Sequence, residues 1–159
     1  MPHRVTAALI LVVAMAGCRL ERLPPPGSAR DLEAIRTVVA DVHRTLSEGD
    51  AEGFQALFDP GAQVWWDDRP PLTAAGFWQG VVAWPDSGGP RLVEAVPLRI
   101  EVRQGREVAT TWAVSVWTVR QGAVTDTLEH RAAFLLRQRN DRWRILSLVV
   151  RRRPPAAGG

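Results

Sequence analysis

From Leu32 onward the apolar residues fall at helical spacing. Leu32, Ile35, Val38, Val39, Val42 and Leu46 are three or four positions apart and share one side of a helix. Ser28 offers an N-cap, Asp31 and Glu33 suit the positive end of the helix dipole, and Gly49 is a stop signal. Asp50 can cap a second, shorter helix whose apolar side is Phe54, Leu57 and Phe58, ended by Asp59-Pro60-Gly61. Gln63 to Trp66 reads as a short strand. Between Thr73 and Trp84, Phe77, Trp78, Val81 and Trp84 return to helical spacing, weakened by Gly76 and Gly80.

From Leu92 the period becomes two. Leu92, Glu94, Val96, Leu98, Ile100 and Val102 are expected on one face of a long strand, and Gln104-Gly105 reverses the chain into Val108 to Arg120. After Gln121-Gly122, the strand Thr127 to Gln138 sets Leu128, His130, Ala132, Phe134 and Leu136 against Glu129, Arg131 and Arg137 on the opposite face. Asn140-Asp141 then turns the chain into a last strand, Trp143 to Val150. Helices followed by a run of antiparallel strands predict an α+β domain, with the helices packed on one face of a curved sheet.

The start of the chain has a different grammar. His3 and Arg4 precede an apolar run from Val5 to Met15, too short for a span that needs roughly 20 apolar residues. The run ends in Met15-Ala16-Gly17-Cys18, which resembles the lipobox of bacterial lipoproteins, with Met15 where Leu is usual. That resemblance implies an export signal over residues 1–17, acylation of Cys18 and a lipid-anchored place in the bacterial cell envelope. Arg19 follows the anchor in place of the Asp that often retains lipoproteins at the inner membrane of enteric bacteria. In a cell with two membranes the expected location is therefore the outer one, facing the periplasm. Cys18 is the only cysteine, so no disulfide within the chain is available to the fold. Residues 18–27 include three consecutive prolines and read as a semi-rigid tether. The domain is expected over 28–152, with a Pro- and Gly-containing tail over 153–159.

All 20 basic residues are Arg, and the net charge is only +3. Without a clustered basic face this balance points away from nucleic acid. The one run of adjacent cations, Arg151 to Arg153, borders the tail. The three histidines and scattered carboxylates have no tight ligand spacing, so neither a metal nor another cofactor is expected.

The stretch from Asp31 to Trp66, with Gly49-Asp50 joining its two helices, and the closing stretch from Arg131 to Arg152 resemble the two ends of the nuclear-transport-factor-2-like superfamily. The similarity is to its SnoaL-like and ketosteroid-isomerase-like bacterial branch. It implies a cone in which a strongly curved antiparallel sheet wraps a long N-terminal helix and two shorter ones around an open-ended pocket. It also implies a homodimer joined through the outer sheet face, for which Trp117 is the expected central contact. Related domains carry histidines and a serine in a closing W-x-I-x-H-x-H-x-S-like string. Here Trp143 and Ile145 match, but Ser147, Val149 and Arg151 follow. No tyrosine is present to act as an oxyanion donor, and the Asp-Arg-Asp arrangement of the superfamily's epoxide hydrolases is not matched.

His130 is the main candidate for chemistry, because strand parity aims it inward and a pocket histidine can serve as a general base or orient a ligand. Asp67 and Asp68, just after Trp65-Trp66, could supply a carboxylate at the rim. Trp66, Trp78, Trp84, Trp112, His130, Phe134 and Ser147 are the expected lining of a pocket for an apolar small molecule. His43 sits at the edge of the first helix's apolar side. Two functions stay open: a non-catalytic binding or accessory module, and an isomerase, cyclase or hydratase working through His130.

Overall fold

The computed structural model describes residues 27–82 and 91–153. The export signal, Cys18, the tether up to residue 26, Trp84 and the tail beyond Arg153 lie outside the described residues.

The first helix, α1 (Ala29–Glu48), is capped by Ser28, whose hydroxyl accepts from the Asp31 backbone N–H at 3.1 Å. It ends on Gly49 in the left-handed region, φ 72°. Ile35, Val39, Val42 and Leu46 are buried, as their spacing requires, and His43 and Thr45 are buried beside them. Asp50 caps α2 (Ala51–Ala56) by accepting from the Gly53 N–H at 2.8 Å. The chain then enters β1 (Phe58–Trp66), so Asp59-Pro60-Gly61 belongs to an irregular strand start. Of the expected helix over Thr73 to Trp84, the described residues form α3 (Ala74–Phe77) followed by a π-helical turn over Trp78–Val82. Gly76 and Gly80, each costing roughly 1 kcal/mol against Ala, account for the weak helix.

Four long strands complete the sheet: β2 (Arg91–Gln104), β3 (Val108–Gln121), β4 (Val124–Arg139) and β5 (Arg142–Arg152). Their order is β1-β5-β4-β3-β2. β2 to β5 run antiparallel, while β1 joins the edge parallel to β5. The curved sheet closes around α1, which packs on β2 and β5 and is stitched to β2 where the Ala95 N–H donates to Ser47 Oγ at 2.8 Å.

Three bulges redraw the strand faces. In β2 the register shifts between Leu92 and Glu94 and again between Pro97 and Arg99, leaving Val93 and Leu98 as extra residues. Each extra residue inverts the alternation. Leu92 and Ala95 are therefore buried while Val96 is 40 % and Leu98 62 % exposed, and the single face expected from Leu92 to Val102 is split. In β5, Leu135 pairs Ser147 but Leu136 pairs Ile145, so Leu146 is the extra residue. Trp143 and Ile145 point inward, then Leu148 and Val150 do, and Ser147 turns to the outer face.

Candidate functional site

The concave face of β3 carries Ala109, Thr111, Ala113, Ser115 and Trp117, all buried. Small side chains at 109, 113 and 115 let α1 approach, and Trp117 fills the space beyond them. Trp117 is 5 % exposed within its own subunit, and Trp112, of opposite parity, is 43 % exposed. The sequence reading had these two reversed. Trp112 lies outside the cone beneath Arg103, whose guanidinium carbon sits 5.4 Å from the ring centroid, and Trp117 belongs to the interior.

His130 stands opposite Ser115 across the β3–β4 ladder and is 1 % exposed. Its ring lies 4.4 Å from Trp117 and 5.2 Å from Trp66, centroid to centroid. Trp66, at the end of β1, continues the aromatic file to Phe77 at 5.6 Å, and Phe77 stacks on Phe54 at 5.8 Å. Phe54 also meets Phe58 at 4.9 Å and Trp78 at 5.3 Å. Of the expected lining, Trp66, Trp78, Phe134 and His130 thus reach the interior, whereas Trp112 and Ser147 are on the outer face.

Among the described residues this interior is closely packed. The space bounded by His43, Ser115, Trp117, Phe134 and their apolar neighbours is about 10 Å³, room for a single water. Its polar lining is spoken for on two sides. The Trp117 indole N–H donates to Ser115 Oγ at 3.1 Å, and His43 Nδ1–H donates to the Val39 carbonyl at 2.8 Å, which places the His43 proton on Nδ1. Burial lowers the His43 pKa, opposed by that bond.

Neither ring nitrogen of His130 has a hydrogen-bond partner among the described residues. Burial pushes its pKa down to about 4; the Leu128 backbone, close but not in hydrogen-bond geometry, and the Asp67 carboxylate oppose this, while Arg152 adds to it. His130 is therefore neutral at pH 7. Asp67, at φ 49°, turns its Oδ1 to the Arg152 backbone N–H at 2.9 Å. Asp68 pairs with Arg151 on the surface. Both aspartates tie the end of β1 to β5, and neither forms a hydrogen bond with His130. Among the described residues no three His, Cys, Asp or Glu side chains converge as a metal site.

His43 and Ser115 were not singled out as interior polar residues, although both could have been. His43 follows Val39 by one turn and precedes Leu46 by three, and Ser115 shares parity with Ala113 and Trp117.

A helix-filled cone of this topology defines a nuclear-transport-factor-2-like, or cystatin-like, domain. The profile of the SnoaL-like domain matches residues 35–150, and the chain belongs to that family. Solved structures agree on the fold. An NTF2-like protein with a cystatin-like fold from Novosphingobium aromaticivorans is 16 % identical with a TM-score of 0.66, covering 80 % of this chain and 85 % of the other. A putative Ca/calmodulin-dependent kinase II association domain from Exiguobacterium sibiricum is 15 % identical at 0.66, covering 82 % and 98 %. A putative scytalone dehydratase from Novosphingobium aromaticivorans is 14 % identical at 0.64, covering 79 % and 85 %. No curated protein matches the chain.

Proposed function

We propose that this protein is a lipid-anchored accessory module of the bacterial cell envelope, whose SnoaL-like domain performs no catalysis and meets its partners with its outer surface. One observation carries this reading: among the described residues the space beside His43, Ser115 and Trp117 is about 10 Å³, and His130, buried against Trp66 and Trp117, has no hydrogen-bond partner. A substrate of even modest size needs a cavity of roughly 300 Å³ or more. General-base chemistry would further need a carboxylate or a substrate proton within hydrogen-bond reach of His130. The test is mass spectrometry of the purified domain under native conditions. The expected spectrum shows protein alone, and a stoichiometric co-purifying small molecule would overturn the reading. The enzymatic alternative draws support from Asp67, whose charge acts on His130. Under it, His130→Gln would abolish a turnover that the accessory reading does not contain.

Anchoring rests on the lipobox-like string. Cys18→Ser should move the protein from the membrane to the soluble fraction, and a membrane-bound variant would rule the anchor out.

The outer sheet face supports a homodimer. Val96, Trp112 and Leu135 are exposed on it, at 40 %, 43 % and 36 %, and Val114, Val116, Ala133 and Val149 are half-buried around them. With Trp117 inside the subunit, Trp112 takes the central place. Sedimentation should show a dimer at tens of micromolar and a monomer for Trp112→Arg. A parent chain that sediments as a monomer would refute the dimer.

A further inference from the structure

Four arginines crowd one face of the β4–β5 hairpin. Arg137 lies directly opposite Arg144, and Arg139 opposite Arg142. Their side chains share the outer face, because Gln138 and Trp143, the pair between them, face α1 and the core. Like charges placed opposite one another in a ladder repel. Among the described residues only one of these four charges meets a carboxylate, and a second guanidinium meets a neutral carbonyl. Arg137 Nη2 reaches the buried Asp59 carboxylate at 3.0 Å, and Arg144 Nη1 donates to the Phe58 carbonyl at 3.2 Å. Arg139 and Arg142 have no hydrogen-bond or ion-pair partner among the described residues. The Arg151 to Arg153 run is different, since Arg151 pairs with Asp68 and Arg153 with Glu129.

Arg139, Arg142 and Arg144 also border one groove, of about 460 Å³, together with Asn140, Asp59 and Pro60. Asp59 is already committed to Arg137, and Asp141, exposed in the turn, is the other carboxylate close by. From this we infer that the groove is a binding site for a phosphate group, carried by an anionic phospholipid headgroup or by a soluble phosphate ester. Guanidinium forks fit phosphate oxygens in pairs, and a phosphate seated between Arg139, Arg142 and Arg144 relieves the cross-strand repulsion.

The position favours the lipid. Gln138 Nε2 reaches Asp31 Oδ1 in the first turn of α1 at 3.5 Å, so the chain enters the domain at this same hairpin end. An anchor upstream of Ser28 would keep this hairpin end, with its arginines, on the membrane side of the domain. The lipid source, though not the site itself, rests on the anchoring proposed above.

The experiment uses residues 19–159, which contain the whole buried core from Ile35 to Val150 but no lipid. Binding to phosphatidylcholine vesicles with and without phosphatidylglycerol is measured by co-sedimentation, and inorganic phosphate is titrated in parallel against backbone amide shifts. Arg139→Gln/Arg142→Gln should weaken binding to the phosphatidylglycerol vesicles about thirtyfold, as expected for two arginines at an anionic surface. Arg91→Gln/Arg120→Gln removes the same charge at the other end of the sheet, where these two residues are paired, and should leave binding unchanged. Phosphate-dependent shifts at residues 139–144 without vesicle binding would assign the site to a soluble ester. Equal losses in the two double variants, or no response to either probe, would overturn the site. Because no anchor is present, these outcomes are independent of the Cys18→Ser result.

Discussion

Trp117→Ala will destabilise the domain by about 3–5 kcal/mol, the usual cost of truncating a buried indole. That is a large part of the roughly 5–15 kcal/mol by which a domain of this size is stable. Three losses contribute. The indole leaves one face each of Trp66 and His130 uncovered, at ring separations of 5.3 and 4.4 Å, and removes the donor to Ser115 Oγ. The void joins the small space already beside Phe134 and His43. A void left by a large core side chain takes up aromatic solutes, and indole brings back a donor for Ser115 Oγ, so added indole should restore much of the lost melting temperature. Denaturant melts with and without indole check both parts. A variant as stable as the parent would show that Trp117 does not support the core, and one that indole fails to rescue would show that the space collapses.

The second large effect is on pH dependence. The His130 pKa is about 4 in the folded chain against 6.5 for the free side chain. Between these values the unfolded chain binds the extra proton, so stability rises with pH in that window. The contribution is fully present above pH 6.5, falls as the pH drops, and is lost below pH 4. It amounts to about 3 kcal/mol over the whole window, roughly 2 of them by pH 5. His43, also lowered by burial, adds in the same direction. His130→Phe keeps a ring between Trp66 and Trp117 and removes two unpartnered buried nitrogens, so near neutral pH it should be at least as stable as the parent. Its stability between pH 7.5 and 5 should be much flatter, with the His43 slope remaining. Equal slopes for parent and variant would show that His130 is not the titrating group.

Much of the fold was legible because its signals are local. The spacing from Leu32 to Leu46, Ser28 and Gly49 at the ends of α1, and the inward file His130, Ala132, Phe134, Leu136 each depend on residues close in sequence. The bulges at Val93, Leu98 and Leu146 were not legible. A bulge is decided by the partner strand, and a single extra residue moved Ser147 out of the cone and brought Leu148 in. Parity alone showed that Trp112 and Trp117 oppose each other. Choosing between the sides needed the small residues Ala109, Ala113 and Ser115, which mark the face that α1 approaches. The parallel pairing of β1 with β5 is likewise a long-range fact, joining Phe58 to Ile145. The arginine groove has no local signal in the sequence, because Arg137, Arg139, Arg142 and Arg144 alternate with other residues and become a cluster only when the hairpin closes.

The central claim is that His130 is held neutral in a packed aromatic interior and does not serve as a base in an open pocket. Its imidazole pKa, followed by NMR of the ring protons or ring nitrogens in the intact domain, tests this most directly. The account predicts a value near 4. A value at or above 6.5, with the ring exchanging freely with solvent, would mean a hydrated cavity or a carboxylate partner, and would contradict it.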